Sequence, residues 1–356
     1  MTKRRRVFLI GVGDLGSRLS QLIAERRLAT ELRLVGRGPL LQEWADILSV
    51  ATGCKVTSAQ LDALDQDALK RELTSFEPHL LLQCASLLSP WAFSRSLSPT
   101  AQAVVSGGFA LQVSAQLPII AAVMEVHRAL RLDCSVVNCS FPDLTHPMLR
   151  GADLAPTVGI GNVAMIAAKI KHFLRSSAKA PVRVIAHHSQ VSRFMAEGPD
   201  DSSLLRPIVY RGDKRIDCRG LFGRDFPRLH PGTLLNYFTA STAISLLSGL
   251  LDKTSQVHTH APGVSGLPGG YPIRVSSGRV SLDLPTGLSA GKAIAFNIKA
   301  ARLDGIERIS LKGTLTYTPE LRHRIKPWCP ELCEPLSLEH SLKRWNILKA
   351  IYDEAH

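Results

Sequence analysis

The 356-residue chain has fewer acidic than basic residues, few aromatics and no long uninterrupted apolar run. Because a bilayer is crossed by ~18 or more consecutive apolar residues, the sequence predicts no membrane span. The basic cluster Lys3–Arg6 precedes only a short apolar stretch without a small-residue cleavage site, so a secretory signal is not expected. We therefore expect a cytoplasmic protein that does not bind membranes.

The deficit of acidic residues gives a formal net charge of +13 at pH 7. The basic residues are scattered, and the sequence has no RNP motif, zinc-finger spacing or basic helix with interleaved aromatics, so we expect no specific nucleic-acid binding. Seven cysteines, an odd number, show no disulfide-scaffold spacing. Cys329 and Cys333 form a CPELC pair, but no further Cys or His pair stands at ligand spacing near it, so we assign no metal site.

A glycine-rich turn follows the first apolar segment of the chain. Val7–Ile10 leads into GVGDLG at Gly11–Gly16, a helix follows, and Leu32–Val35 is a second apolar segment. In a strand, turn and helix of this kind the glycines allow a tight turn, close approach to a pyrophosphate, and close packing of helix on strand. The helix N-terminus also offers N–H groups to the anion. The pattern predicts a dinucleotide site lined by Gly11, Gly13, Asp14, Leu15, Gly16, Gly36, Arg37 and Ala85.

No acidic residue stands at the end of the second strand, where Asp or Glu usually holds the ribose 2′-hydroxyl of NAD. The chain has Gly36-Arg37-Gly38 there. Gly36 leaves space, and Arg37 can bind a 2′-phosphate through a bidentate fork. The sequence therefore predicts NADP (NADPH) as the cofactor, with NAD less favoured. The alternative is that Arg37 is a solvated turn residue.

Strands alternate with helices over the first ~150 residues, as in a doubly wound parallel sheet. Leu80–Ala85 and Ser135–Asn138 have the apolar character of buried strands, and a helix is predicted at Ile119–Leu132. The serine, proline and glycine residues of segment 87–109 predict a mobile loop or an interrupted helix. The chain is long enough for two domains. We predict an α/β protein with a Rossmann parallel sheet in residues 1–150 and a C-terminal α+β domain, 151–356, for substrate binding and dimerisation.

The order of these elements resembles the lactate/malate dehydrogenase superfamily. Besides the glycine turn, the resemblance rests on ADILS at Ala45–Ser49, on LLLQCAS, on SVVN at Ser135–Asn138, and on Val182–Gln190, which is similar to the strand and turn ending in GEHGD. The resemblance implies an NAD(P)-dependent dehydrogenase or reductase with a small-molecule substrate, and it implies a homodimer.

The resemblance also assigns roles to single residues. It implies that His188 shuttles a proton, that Arg95 polarises the substrate from a mobile loop, and that Asn138 faces substrate and nicotinamide. Hydride transfer to a carbonyl leaves an alkoxide, which needs a nearby proton donor with a pKa near neutrality and is stabilised by a cation. Thr242, in the predicted helix Thr233–Leu251, and Tyr271, in a Gly/Pro turn, are the predicted substrate contacts.

Two residues depart from the family pattern. Ala164 stands where the family has an aspartate that orients the histidine, and Ala167 where it has an arginine that clamps the substrate carboxylate. The substrate is therefore not expected to be a simple 2-hydroxy acid, and the pocket is expected to be more apolar. Asp143 and Glu197 are candidates to replace the aspartate.

These departures leave two classes of function open. The first is an NADP-dependent oxidoreductase acting on a C=O group; a C=N group stays open as an alternative because opine and saccharopine-type reductases share a similar glycine loop. The second is a non-catalytic NADP-binding sensor or scaffold.

Overall fold

A six-stranded parallel sheet organises the first half of the chain in a computed structural model that describes residues 4–174, 181–191, 205–217 and 233–355. The strands follow the order β3-β2-β1-β4-β5-β6. Because the strand order reverses between β1 and β4, a crevice opens there at the carboxyl ends of the strands. The strands are β1 Arg6–Ile10, β2 Glu31–Gly36, β3 Lys55–Gln60, β4 Leu80–Gln83, β5 Ser135–Asn138 and β6 Val158–Gly159.

Helices connect these strands and cover both faces of the sheet. Alternate residues of β1 enter different cores, with Phe8 and Ile10 on one face and Val7 and Leu9 on the other. The Rossmann sheet predicted from the alternating pattern is confirmed. The helices are α1 Asp14–Glu25, α2 Leu41–Thr52, α3 Gln66–Phe76, α4 Pro99–Ser106, α5 Val113–Ala129 and α6 Pro142–Arg150.

Helix α5 differs from its prediction. It begins at Val113 rather than Ile119 and contains Pro118. Most of its residues are buried, so tertiary packing outweighs the hydrogen bond lost at the proline. The preceding segment is an interrupted helix, with a 3₁₀ turn at Phe93–Arg95 and α4 after it, which was one of the two predicted forms.

Antiparallel sheets and further helices form the second half of the chain. An isolated bridge between Ala186 and Gly270 joins two of these sheets. The strands are β7 Val182–Ile185, β8 Ile208–Arg211, β9 Lys214–Ile216, β10 Gln256–Pro262, β11 Gly270–Ser276, β12 Arg279–Leu282, β13 Ile306–Ile309 and β14 Leu315–Tyr317. The helices are α7 Val163–Phe173, α8 Thr233–Leu251, α9 Ala290–Ala301, α10 Pro319–Ile325 and α11 Ser341–Glu354.

The two halves share their hydrophobic cores. Strand β6 lies beyond residue 150 and pairs with β5, and α11, near the C-terminus, packs against α5. Leu348 and Ile351 of α11 belong to the same core as Phe8 of β1. The division of the chain at residue 150 stays a prediction.

Two helical segments are long and apolar enough, by length and composition alone, to cross a membrane. They are Phe109–Ala129 and Leu234–Leu251. The first is 89% buried inside the protein and the second 50%. Length and composition alone are weak evidence of a span, because buried core helices have the same properties.

Candidate functional site

The three glycines of the turn between β1 and α1 differ in the space that surrounds them. Gly11 has φ of +91°, and a Cβ there would lie 2.5 Å from the backbone nitrogen of Ala85. A Cβ at Gly16 would lie 1.9 Å from the carbonyl oxygen of Gly11. A Cβ at Gly13 would meet no described atom within 4 Å. Gly11 and Gly16 are therefore needed by the fold, whereas Gly13 borders open space.

That open space lies at the N-terminus of α1. Gly13 is the N-cap residue, and no described side chain caps the helix, so its first N–H groups are available to an anion. The Asp14 carboxylate stands beside this space, but it accepts hydrogen bonds from Arg18 at 2.6 Å and from Asn236 at 2.5 Å. Its charge is thus offset by Arg18, and the turn fits a pyrophosphate.

A groove of about 630 Å³ runs from this turn across the ends of β1 and β2. Arg37 is well exposed in it, and its guanidinium lies 3.5 Å from the Asp62 carboxylate. Asp62 follows β3, not β2, and sequence reasoning missed it. The predicted cofactor residues that line this groove are Gly11, Gly13, Gly36, Arg37 and Ala85.

A second cavity of about 290 Å³, the His188 cavity, adjoins the groove. Gly13, Cys84 and Ser86 line both spaces, so the two are adjacent. The remaining predicted cofactor residues, Asp14, Leu15 and Gly16, line the His188 cavity. All eight therefore line one or the other of these two adjoining spaces.

His188 lies on the turn that follows β7, and its imidazole lines this cavity. Its Nδ1 lies 2.9 Å from Oδ2 of Asp304. Burial lowers the pKa of His188, but the negative charge of Asp304 and the hydrogen bond to it outweigh burial, so the pKa is raised above its usual value. Asp304 is itself buried, which raises its pKa, yet the charge of His188 and the hydrogen bonds to His187 and His188 lower it overall.

Asp304 was missed by sequence reasoning. It ends the 3₁₀ turn Arg302–Asp304, which follows α9, 116 residues beyond His188. No motif surrounds it, and only the tertiary fold brings it to the histidine. Asp304 is the carboxylate that contacts the His188 ring, whereas Ala164 has no polar side chain.

Asp143, a predicted replacement for that partner, has a different role. Its Oδ1 accepts the backbone N–H of His188 at 3.0 Å, and its Oδ2 accepts the side-chain amide of Asn162 at 2.8 Å. It therefore holds the turn and the start of α7, not the imidazole ring. Glu197, the other candidate, lies outside the described residues.

Aromatic side chains form the wall of the His188 cavity. The Phe109 ring meets the His188 ring edge-to-face at a centroid distance of 3.9 Å. Phe109 also contacts Phe141 at 4.8 Å and Trp91 at 6.4 Å. Gly108, with φ of +87°, permits this approach, because a Cβ there would lie 2.9 Å from the carbonyl oxygen of Asp304. No lysine or arginine is among the described residues that line this cavity.

The structure does not bring four of the predicted residues to the cavity. Arg95 is exposed in its 3₁₀ turn. Asn138 is fully buried, where it accepts the N–H of Ser140 at 2.9 Å and donates to Thr145. Tyr271 is fully buried and donates to the carbonyl of Pro268 at 2.6 Å.

Thr242 is the fourth of these residues. It donates within its own helix to the carbonyl of Thr239, and it is Thr239, one turn earlier, that lines the cavity. The roles of Arg95, Asn138, Tyr271 and Thr242 therefore stay predictions: Arg95 is exposed in the structure, and internal hydrogen bonds occupy the other three side chains.

Comparison with known proteins identifies the fold. No protein-family profile and no curated protein sequence matches the chain. The solved structure of lactate dehydrogenase from Eimeria maxima, which contains NADH and oxamate, superposes with a TM-score of 0.51 at 14% identity, over 84% of this chain and 92% of that one. The chain has the fold of lactate and malate dehydrogenases.

Two further structures agree with this fold. The minor L-lactate dehydrogenase from Enterococcus mundtii gives a TM-score of 0.51 at 13% identity, and the malate dehydrogenase from Picrophilus torridus gives 0.50 at 12%. Each comparison covers 85% of this chain and 95% of the other. The resemblance found in the sequence motifs is thereby confirmed as a remote likeness of fold.

Proposed function

We propose that the protein is an NADP-dependent oxidoreductase that transfers hydride to or from the C=O group of a neutral, largely apolar substrate. The observation that carries this proposal is that the glycine-lined groove adjoins the cavity lined by His188, which is paired with Asp304. The NADH bound to the Eimeria maxima enzyme supports a nicotinamide dinucleotide as the ligand of the groove.

In this proposal His188 moves the proton. Asp304 faces Nδ1, which leaves Nε2 as the atom that exchanges a proton with the substrate oxygen. A bound dinucleotide would supply or accept the hydride. In the direction of reduction the developing alkoxide takes the proton from Nε2, and in the reverse direction the same nitrogen accepts it. A proton donor aimed at an oxygen favours a C=O group over a C=N group.

Asp304 acts through His188 as a positioning residue. A buried carboxylate at Nδ1 fixes the tautomer and stabilises the imidazolium, as in other histidine–aspartate pairs. It restores one of the two functions whose absence favours a non-catalytic sensor or scaffold. The carboxylate-clamping arginine has no counterpart among the described residues that line the cavity, which favours a substrate without a carboxylate.

The walls favour an aromatic or branched apolar group beside the carbonyl. Trp91, Phe109 and Phe141 provide apolar surface on the side of His188. A substrate carboxylate would be desolvated there without a lysine or arginine among the described lining residues to clamp it. We therefore expect aryl ketones and aldehydes to react and 2-oxo acids to be rejected.

The preference for NADP rests on Arg37. Its exposed guanidinium lies in the groove with Gly36, and its contact with Asp62 is long and solvent-exposed, so little energy is lost when a phosphate replaces that contact. Asp62 works against a 2′-phosphate, and the balance between the two residues decides the preference.

The test begins with titration of the purified protein with NADPH and with NADH, followed by protein fluorescence, since Trp44 lines the groove. Tight binding of NADPH and weak binding of NADH is the expected result. Equal binding of NADPH and NADH would contradict the preference for NADP. If neither cofactor binds, the proposed oxidoreductase function is contradicted.

Single-turnover oxidation of the bound cofactor by a panel of aryl ketones and 2-oxo acids tests the chemistry. The wild type is expected to react with the aryl ketones, and the His188→Asn variant to bind cofactor normally but react at least 100-fold more slowly. If neither the aryl ketones nor the 2-oxo acids react although NADPH binds, the result favours the non-catalytic sensor or scaffold over the enzyme.

A further inference from the structure

Two cysteines from neighbouring strands meet where the groove joins the His188 cavity. Cys84 follows β4, Cys139 follows β5, and their Sγ atoms lie 3.4 Å apart. The contact follows from the parallel register, because Gln83 pairs with Asn138 and the N–H of Cys139 donates to the carbonyl of Gln83 at 2.8 Å. The next residues of the two strands therefore lie side by side.

Both side chains line the His188 cavity, and Cys84 also lines the groove. Both are partly exposed, as is Cys134, whereas Cys54, Cys329 and Cys333 are buried. We propose that Cys84 and Cys139 are a modification site at which a hydroperoxide forms a reversible disulfide in the wall of the cavity.

The geometry requires little movement to close this bond. A disulfide has an S–S distance of ~2.05 Å, so the two sulfurs must approach each other by about 1.4 Å. Neighbouring strands lie ~4.8 Å apart, which is within the range of Cα separations that a disulfide spans. Rotation of the two side chains supplies most of the approach, and the strands keep their register.

The chemistry balances with a hydroperoxide as the oxidant. The Cys139 thiolate attacks the terminal peroxide oxygen, the O–O bond breaks, and an alcohol (water, for hydrogen peroxide) leaves with one proton. Cys139 is then a sulfenic acid. The Cys84 sulfur attacks the Cys139 sulfur, the S–O bond breaks, and water leaves with the Cys84 proton. The two thiols lose two electrons, the peroxide gains them, and an external dithiol reverses the reaction by exchange.

The local electrostatics suit this order of events. The hydrogen bond to Cys139 and burial raise the pKa of the Cys84 thiol well above its ordinary value. Cys84 therefore stays a thiol until the second step, in which its proton leaves with the water; either sulfur can donate the S–H···S contact between them.

Closure of the disulfide would affect the neighbouring dinucleotide site, a consequence that rests on the proposed function. The backbone N–H of Cys84 donates to the carbonyl of Ile10 at 2.7 Å. The next residue, Ala85, packs directly against Gly11. A shift of the sulfurs thus changes the wall where a dinucleotide would pass from groove to cavity. We expect bound dinucleotide to slow the oxidation, and the disulfide to weaken dinucleotide binding at least tenfold.

The test uses the full-length protein, treated with hydrogen peroxide and then alkylated. Peptide mapping is expected to find Cys84 joined to Cys139, and dithiothreitol is expected to restore both thiols. The Cys134→Ser variant is the matched control, since Cys134 stands at the opposite end of β5, and it should form the same cross-link. Cys84→Ser and Cys139→Ser should each abolish it. Absence of the cross-link in wild type at peroxide levels that oxidise free thiols would overturn the proposal, as would its formation only in unfolded protein.

Dinucleotide titration of the reduced and oxidised protein separates the two proposals. If the cross-link forms but the reduced protein binds neither NADPH nor NADH, the proposed function fails and the modification site stands. If the reduced protein binds NADPH but no cross-link forms, the modification site fails alone. Equal affinity of the reduced and oxidised proteins would contradict the coupling between them.

Discussion

Asp304 determines how His188 behaves as an acid. The side chain of His188 is only 17% exposed, and burial on its own would favour the neutral imidazole at physiological pH. The carboxylate at Nδ1 reverses this balance, so the pKa of His188 is raised. The imidazolium is then present at higher pH than for an isolated histidine, which suits the delivery of a proton to an alkoxide.

The Asp304→Asn variant tests this role. The amide has the shape of the carboxylate but lacks its charge, so the pKa of His188 should fall. Carbonyl reduction needs protonated His188, and its rate declines as pH rises through that pKa; the decline should therefore occur at lower pH in the variant. We expect kcat/KM at pH 8 to fall about 10- to 100-fold, with NADPH affinity unchanged. A pH profile of kcat/KM measures both effects.

The control for this variant is Asp283→Asn. Asp283 makes a similar contact with the exposed His258, 2.9 Å from its Nδ1, and also pairs with Arg183, but it does not contact His188. Loss of the Asp283 charge in this variant should leave the pH profile of carbonyl reduction unchanged. If Asp304→Asn lowers the rate without moving the profile, Asp304 has a structural role only.

Arg37 is the residue at which cofactor preference is tested. A charge-assisted contact between a guanidinium and a phosphate contributes about 1.5–3 kcal/mol. The Arg37→Ala variant should therefore bind NADPH roughly 10- to 100-fold more weakly while NADH affinity changes little. The exposed Arg26, at the far end of α1, provides the control as Arg26→Ala. Equal weakening of both cofactors by Arg37→Ala would contradict a specific contact with the 2′-phosphate.

At the scale of elements, variants of the turn between β1 and α1 can distinguish an effect on folding from an effect on binding. The Gly13→Ala variant adds a methyl group to open space at a backbone conformation that alanine adopts, so its melting temperature should match the wild type within about 2 °C. The same methyl group would stand where the backbone must approach a pyrophosphate, so dinucleotide affinity should fall at least tenfold. Thermal unfolding and fluorescence titration measure the two effects.

Gly16→Ala provides the contrasting variant in the same turn. Its Cβ would overlap the carbonyl oxygen of Gly11, and relief of that clash should cost about 2 kcal/mol or more of stability. A Gly13→Ala protein that binds NADPH as well as wild type would mean that no ligand approaches the turn at this point.

The elements of the first half follow closely from the sequence because their signals are local. The bounds predicted for β5, Ser135–Asn138, are those observed, since an apolar run between polar turns marks a buried strand. The predicted start of α5 was wrong, because packing on all sides of the helix offsets the hydrogen bond lost at Pro118. Local patterns do not contain that tertiary information.

The site was less predictable than the sheet. His188 was placed beside the cavity by its motif, whereas Asp304 reaches it from 116 residues away. Asn138, Thr242 and Tyr271 stand in segments that do contribute to the site or to its support, but their side chains turn to hydrogen bonds of their own. Side-chain direction depends on such local partners, which no motif reveals.

At the scale of the whole molecule, helix α6 packs against the turn between β10 and β11 in the antiparallel part. His146 of this helix is fully buried, and its Nδ1 lies 2.7 Å from the carbonyl oxygen of Gly263, between β10 and β11. A neutral Nδ1–H can donate this hydrogen bond. The homodimer, the domain boundary at residue 150 and the cytoplasmic location stay predictions at this scale.

His146 should make the stability of the whole protein sensitive to acid. Burial lowers the pKa of His146 to about 4, although the hydrogen bond to Gly263 opposes this shift. The unfolded chain, with a histidine pKa of ~6.5, binds a proton at a pH where the folded protein does not. The stabilising effect is therefore complete above about pH 6.5 and is lost as pH falls toward 4, by up to about 3 kcal/mol.

The His146→Asn variant removes this titration while its amide can still donate to Gly263. We expect it to be about 1–2 kcal/mol less stable than wild type at pH 7, because a smaller side chain leaves a cavity, yet to lose less stability on acidification. Urea midpoints at pH 7, 6 and 5 measure the difference in slope. The control is His258→Asn, since His258 is partly exposed and paired with Asp283. If His146→Asn loses stability on acidification as steeply as wild type, other groups, such as the buried His260 with its lowered pKa, cause the acid sensitivity.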